Sequence, residues 1–219
     1  MITYKEIRNN EEINALIARG NQVLNSMGFT EHSRVHAAIV AERAAEILTA
    51  LGYGEHEAEL ARIAGFMHDI GNSINRHDHA QSGALLAYQI LKELDMPMED
   101  RLTVITAIGN HDEKTGTAVD AVSAALILGD KTDVRRNRVQ AASPAQFDIH
   151  DRVNYAVLES TVVYRHDKEA IEMTLELDDK ICSLMEYFEI FLDRMLMCQK
   201  ACQVLGCKFR LVANGTKLC

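Results

Sequence analysis

The chain of 219 residues has no tryptophan and only two prolines, and aromatic side chains make up 5% of it. Because proline interrupts helices and is frequent in linkers, its scarcity favours a helix-rich chain without long linkers. Hydrophobic residues nevertheless reach 47%, which is enough for a proper core. The length predicts one full-sized domain, or one domain with a small appendage.

Positive charge is also scarce. Lysine and arginine number 23 against 32 acidic residues, so the formal net charge is −9. General nucleic-acid binding and attachment to an anionic membrane both need a basic face, and we expect neither partner. The sequence has no run of about 18 apolar residues that could span a bilayer. Its first six residues lack the basic and apolar regions of a signal peptide, so we expect a cytoplasmic protein.

Cysteine is missing from the chain before residue 182. The five cysteines that follow are Cys182, Cys198, Cys202, Cys207 and Cys219. An odd number in a chain without a secretion signal favours reduced thiols. A structural zinc site would need four ligands in closer pairs. We therefore expect free thiols.

Helical spacing of apolar residues dominates the first two thirds of the chain. Predicted helices cover residues 5–27, 30–51, 55–69, 78–94, 97–110 and 120–139. Thr30 or Ser33 can cap the second helix. Asp78 and Gln81 have the spacing of a capping box at the start of the fourth helix. Val35 and Leu85 are expected on buried helix faces.

The last third has a different pattern. Residues 153–164 and 169–177 predict two strands, followed by a helix over 179–205 and a strand over 207–212. We expect a helical domain over 1–142 and a small α+β subdomain over 143–219. The fold class is thus mainly α, with a β-β-α-β appendage. An open sheet edge in that appendage predicts a homodimer through it.

An adjacent histidine and aspartate interrupt the apolar pattern at the end of the third predicted helix. His68 and Asp69 offer an imidazole nitrogen and a carboxylate, which suit several metals, and a carboxylate can bridge two ions with its two oxygens. A second such pair, His166 and Asp167, falls in a polar hairpin turn and is excluded from the site. Further candidates at or near the ends of predicted helices are His36, His79, His111 and Asp130.

The order of these residues, with helices between them and Leu-Gly-Asp at the last position, resembles the HD-domain superfamily of metal-dependent phosphohydrolases over about residues 30–140. Members with one metal share four ligands, and the matching residues here are His36, His68, Asp69 and Asp130. His79 and His111 match the extra histidines of members with two metals, in which Asp69 would bridge. His77 is an alternative to His79, and Asp112 is a less favoured ligand.

The resemblance implies hydrolysis of a phosphate ester or anhydride in a nucleotide or another small phosphorylated metabolite, with His68 and Asp69 as catalytic residues. Two ions would clamp phosphate oxygens and activate a water molecule. Ligands rich in histidine favour iron, manganese, cobalt, nickel or zinc. Candidate cations for the remaining phosphates are Arg76, Lys131, Arg135 and Arg138, of which the last three follow Asp130 on one predicted helix. The alternative for those three is a solvated basic face.

Two other functions remain open from the sequence. Diiron oxygenases of the same superfamily use the same ligand set to activate oxygen. A non-catalytic metal-binding sensor or scaffold is the other alternative, although a degenerate site would have lost ligands and none is missing here.

Overall fold

The computed structural model describes residues 2–140, 147 and 149–219. Helices dominate it, and the expected fold class is confirmed. The helices of the first part are α1 (Tyr4–Asn9), α2 (Glu11–Ser26), α3 (Arg34–Ala50), α4 (Glu55–Met67), α5 (His79–Glu93), α6 (Met98–Gly109) and α7 (Ala121–Lys131).

The ends of these helices follow local side-chain chemistry. Ser33 caps α3, and its hydroxyl accepts a hydrogen bond from the amide of Val35. The predicted helix over 5–27 is instead two helices, because the backbone of Asn10 is extended and its side chain caps α2. The hydrophobic spacing continues across this break, so periodicity alone does not detect it.

The capping box predicted at the start of α5 is wrong. Asp78 has φ of 55°, in the left-handed region, and makes no side-chain cap bond. Its carboxylate pairs with the ring of His77 at 2.7 Å, while the Gln81 amide donates to the hydroxyl of Thr115. The loop before α5 therefore fixes Asp78 in a conformation that the capping motif does not have.

The last helix of the first part is shorter than predicted. It ends at Lys131, and residues Arg136–Arg138 form a separate 3₁₀ turn. The side chain of Arg138 donates to the backbone carbonyl of Asp133 at 2.7 Å, which folds the chain back after the helix end. Arg135 and Arg138 therefore do not continue the helix that carries Asp130, contrary to the prediction.

Small residues bring the central helices close together. Val40, Ala41 and Ala44 on α3 are fully buried. Gly65 of α4 lies so near α3 that a Cβ atom there would be 2.7 Å from the Cα of Ala41. Gly129 of α7 approaches the carbonyl of Val40 in the same way.

Two apolar side chains that were expected on buried helix faces are exposed instead. They are Val35 of α3 and Leu85 of α5.

The C-terminal part combines helices with a sheet. Its elements are α8 (Ile149–Ala156), β1 (Val157–Arg165), β2 (Ala170–Leu177), α9 (Leu184–Val204), β3 (Lys208–Ala213) and β4 (Thr216–Lys217). The strands lie in the order β1-β2-β3-β4, with β2 and β3 parallel and the other pairs antiparallel. The first strand begins later than predicted because α8 occupies the preceding residues. The β-β-α-β order is confirmed.

Helix α9 packs against α7 as well as against the sheet, so it connects the C-terminal part to the helical part. The predicted domain boundary at 142/143 lies outside the described residues and stays a prediction. Strand β1 has a described neighbour only on its β2 side, and the predicted homodimer also stays a prediction. His166 and Asp167 are exposed in the turn after β1, as expected.

The described part of the chain contains no helix with both the length and the apolar character of a membrane span. The cysteines are free thiols in this structure, as predicted, and four of the five are buried.

The contact between α3 and α4 predicts the effect of adding a methyl group at Gly65. We expect Gly65→Ala to lower the free energy of unfolding by about 1–3 kcal/mol, the usual cost of overpacking. Gly109→Ala is the control, because the nearest atom to its added methyl would be 3.6 Å away. Urea unfolding of both variants measures the difference. Equal stability of the two variants would contradict the proposed close packing.

Candidate metal centre

The structure brings together all six side chains that the sequence analysis singled out as metal ligands. They come from five helices or the residues directly after them: His36 in the first turn of α3, His68 and Asp69 after α4, His79 at the start of α5, His111 after α6, and Asp130 near the end of α7. The four histidines are buried. The helix ends therefore converge on one small polar space inside the bundle.

The carboxylate of Asp69 lies between two groups of histidines. Its Oδ2 atom is 3.2 Å from Nε2 of His68 and 3.9 Å from Nε2 of His36. Its Oδ1 atom is 3.4 Å from Nε2 of His79 and 3.7 Å from Nε2 of His111. Each oxygen of one carboxylate therefore faces a different pair of imidazoles.

Asp130 belongs to the first of these groups. Its Oδ1 atom is 3.3 Å from Nε2 of His36 and 3.7 Å from Nε2 of His68. The ligand atoms of these three residues lie within 4.8 Å of one another, as do those of His68, Asp69 and His111. Both sets are compact enough to hold a metal ion.

The tautomers of three histidines follow from their second ring nitrogen. In His68, His79 and His111, Nδ1 lies 2.6–3.1 Å from the backbone carbonyl oxygen three residues earlier. A carbonyl oxygen only accepts hydrogen bonds, so Nδ1 carries the proton. In a neutral imidazole this leaves the lone pair on Nε2, the atom that faces the shared space. Metal-binding histidines are commonly oriented in this way.

His36 is oriented by a carboxylate that the sequence analysis missed. Its Nδ1 donates to Oδ2 of Asp133 at 2.7 Å. Arg135 donates to both oxygens of the same carboxylate, at 2.6 and 3.0 Å. Burial raises the pKa of Asp133, but the hydrogen bonds from His36 and Arg135 outweigh this and hold the pKa below its ordinary value. Asp133 therefore stays ionised and fixes the ring of His36.

Two ring nitrogens of the site lack a hydrogen-bond partner in the part of the chain that the structure describes, which favours binding of a divalent cation. The Nε2 atoms of His79 and His111 are 3.2 Å apart, and with Nδ1 protonated on both rings two lone pairs face each other. Nε2 of His36 and Nε2 of His68 are buried without a hydrogen-bond partner among the described residues. Unpaired buried ring nitrogens are costly, and a metal ion in this space would give the lone pairs of these imidazoles a partner.

The charges of the site also favour a cation. Burial raises the pKa of Asp69, but the neighbouring histidines, His68 foremost, hold that pKa well below its usual value. Burial lowers the pKa of His68, yet the charges of Asp69 and Asp130 leave it raised. The carboxylates are therefore ionised and stabilise positive charge beside them.

A fifth histidine lies at the same place and was missed from the sequence. Nδ1 of His32 is 2.7 Å from the carbonyl oxygen of Thr30, and its Nε2 is 4.0 Å from Oδ2 of Asp69. Burial holds the pKa of His32 well below its ordinary value, so the ring is neutral. His32 precedes Ser33, the extended N-cap residue of α3, so helical spacing from His36 does not mark it in the sequence.

The four cations predicted to bind substrate have different surroundings. Nη1 of Arg76 is 3.3 Å from Nε2 of His79. Lys131 is buried between Asp130 and Glu113, with Nζ 2.8 and 2.6 Å from their carboxylates. Residues that line the space beside the carboxylates include Arg76, Lys131 and Arg138. Arg135 instead binds Asp133.

The guanidinium of Arg138 is held by backbone oxygens. Its Nε and Nη2 atoms donate to the carbonyl of Glu31 at 3.0 and 2.7 Å. Arg194 of α9 also lines the centre and was missed from the sequence, because its position depends on how α9 packs against α7. The C-terminal part thus contributes a side chain to the site.

The space among these side chains is small, with a volume of about 10 Å³, close to the least that holds one water molecule. A cleft of about 310 Å³ lies beside it. Arg76 lines both spaces, so its side chain stands between them. His77 and Asp112, the alternative ligands, line the outer cleft.

Comparisons with known proteins identify the family of the chain. The HD domain family model matches residues 32–189, more than two thirds of the chain, and the protein belongs to the HD domain family. A protein of Methanocaldococcus jannaschii that is itself uncharacterised is 24% identical over 200 residues, which cover 81% of this chain and 76% of that protein.

A solved structure is also similar. It is the crystal structure of a predicted HD superfamily hydrolase from an uncultured Thermotogales bacterium, 25% identical, with a TM-score of 0.44 over 57% of this chain and 67% of the other. HD domains bind divalent metals. Membership of the family and the clusters of histidine and aspartate support a metal-dependent, hydrolase-type function.

The position of Asp69 predicts how metal content depends on each ligand. We expect Asp69→Ala to lose all bound metal, because each half of the centre loses an anionic ligand. We expect His111→Ala to lose only the metal on the His79 side. Elemental analysis of the purified, metal-saturated variants measures both. Asp167→Ala is the control, since Asp167 belongs to the exposed histidine-aspartate pair. Full metal occupancy in Asp69→Ala would refute the centre.

Proposed function

We propose that the protein is a phosphohydrolase that acts on a small phosphorylated compound, such as a nucleotide, with the help of two divalent ions. The observation that carries the proposal is the position of Asp69, whose two oxygens face two separate pairs of histidine Nε2 atoms. One carboxylate shared between two donor sets would hold two ions close together, as two-metal hydrolysis requires.

The residues divide between two ions. The first would be held by His36, His68, Asp130 and the Oδ2 atom of Asp69. The second would be held by His79, His111 and the Oδ1 atom of Asp69. When bound, such ions draw negative charge from phosphate oxygens and lower the pKa of a coordinated water. Imidazole-rich ligation favours iron, manganese, cobalt, nickel or zinc in both positions.

Neighbouring side chains hold these ligands in position. Lys131 binds Oδ2 of Asp130, which leaves Oδ1 directed at the histidines. Asp133 fixes His36 through Nδ1. These contacts are buried, so they orient the ligands before any substrate arrives. His68 and Asp69 stay the proposed catalytic pair because both face the shared space.

The substrate phosphate would meet Arg76 first. Arg76 stands between the small inner space and the larger outer cleft, and its guanidinium already lies against Nε2 of His79. A phosphate that enters from the outer cleft can take this guanidinium as its partner. The outer cleft, with the polar side chains His77, Asp112 and Lys114, would hold the rest of the molecule.

This role predicts a specific defect in a variant of Arg76. We expect Arg76→Gln to weaken substrate binding by about 1.5–3 kcal/mol, the range for a hydrogen bond to a charged group, with unchanged metal content. The measurement is steady-state kinetics on phosphate esters and anhydrides, with inorganic phosphate as an inhibitor. Arg152→Gln is the control, because Arg152 pairs with Glu186 away from the centre.

The same assay separates the hydrolase from its rivals. Hydrolysis uses water alone, so turnover should proceed without oxygen and stop when a chelator removes the metal. An iron-loaded protein that releases no phosphate but consumes oxygen with a non-phosphorylated substrate would be an oxygenase instead. Metal binding without either reaction would indicate a sensor or scaffold.

A further inference from the structure

Helix α9 of the C-terminal part delivers a cation to the metal centre. Arg194 is partly buried, with 24% of its side chain exposed, and its Nε atom is 3.3 Å from Oε1 of Glu113. Its guanidinium lies over the ring of Phe191 at 4.5 Å. Glu113 comes from the loop after α6, so this ion pair joins the C-terminal part to the helical part beside the centre.

The ion pair is the outer end of a row of alternating charges. The other oxygen of Glu113 is 2.6 Å from Nζ of Lys131, and Nζ is 2.8 Å from Oδ2 of Asp130. Burial raises the pKa of Glu113, but Lys131 and Arg194 hold it below its ordinary value, so the row is fully ionised. The row consists of two cations, Arg194 and Lys131, and two anions, Glu113 and Asp130. If a metal ion balances the charge of Asp130, the other three side chains carry a net charge of +1.

Arg194 is the member of this row that is free to meet a ligand. Lys131 is buried between two carboxylates, and the nearby Arg138 is fixed by carbonyl oxygens. Among the described residues, the ion-pair partner of Arg194 is Glu113 alone, and the contact is made by Nε. The two terminal nitrogens of the guanidinium do not make this contact with Glu113. The side chain of Arg194 lines the inner space.

We propose that Arg194 binds a second anionic group of the substrate, next to the phosphate that the ions would hold. The preferred substrates then carry two neighbouring anionic groups, as in a phosphoanhydride, rather than a single phosphate ester. This inference rests on the proposed phosphohydrolase function. It also makes the C-terminal part a component of the substrate site, since no residue of α1–α7 provides this cation.

Binding of two non-hydrolysed probes tests the proposal. Inorganic phosphate has one anionic group, and methylenediphosphonate has two. Metal-saturated protein, freed of excess metal, is titrated with each by calorimetry. We expect wild-type protein to bind the diphosphonate at least about tenfold more tightly than phosphate, since a hydrogen bond to a charged group has that effect. Arg194→Gln should lose this preference while its affinity for phosphate stays the same.

Three controls accompany this titration. Arg194→Lys keeps the charge and should keep a preference for the diphosphonate. Lys200→Gln removes an exposed cation from the same helix and should bind both probes as the wild type does. Elemental analysis and thermal unfolding establish that Arg194→Gln is folded and loaded with metal. We expect this because glutamine keeps the first methylene groups of the arginine side chain.

The outcomes separate the two claims. If wild-type protein binds phosphate but prefers it to the diphosphonate, or if Arg194→Gln keeps the preference, the role of Arg194 is wrong and the proposed function stands. If Arg194→Gln loses affinity for both probes equally, Arg194 acts on the first phosphate and the second subsite is refuted. If wild-type protein binds neither probe in a metal-dependent way, the phosphohydrolase proposal itself fails.

Discussion

The site depends on one constraint, which is that a single buried carboxylate faces the Nε2 atoms of four imidazole rings. Asp69 directs its two oxygens at two pairs of histidines, and three of those rings have their Nδ1 protons committed to backbone carbonyls. Without a metal ion, the Nε2 lone pairs of His79 and His111 face each other at 3.2 Å, and the buried Nε2 of His36 has no hydrogen-bond partner among the described residues. Unpaired buried polar groups destabilise a protein. The packing of the surrounding helices must therefore hold these side chains in place.

The packing of the helices supports that arrangement at short range. Each ligand lies at or near a helix end, so small shifts of whole helices would separate them. Gly65 and Gly129 let α4 and α7 approach the backbone of α3 closely, and these three helices carry or precede His36, His68, Asp69 and Asp130. Helix α9 extends the support from the C-terminal part through Arg194, Glu113 and Lys131. A tightly packed protein interior has low compressibility, so a shift of one helix is transmitted to the helices packed against it.

The sequence predicted the helical fold and brought the six candidate ligands to notice, because hydrophobic spacing and helix ends are local properties. Sequence analysis did not find site residues whose positions depend on packing between distant parts of the chain. Asp133 and Arg194 have no local feature that marks them, and their roles appear only when α3 and α9 lie against α7. Hydrophobic spacing also missed the left-handed backbone of Asp78, whose carboxylate pairs with the neighbouring His77, and the early end of α7, after which Arg138 binds the carbonyl of Asp133.

The central claim is that Asp69 bridges two ions, and electron paramagnetic resonance of the manganese-saturated protein tests it most directly. A carboxylate shared by two Mn²⁺ ions couples their spins. The account predicts a spin-coupled spectrum at saturation that is replaced by the signal of isolated ions, or lost, in His111→Ala. A wild-type spectrum of isolated Mn²⁺ alone, unchanged by excess metal, would contradict the bridged pair.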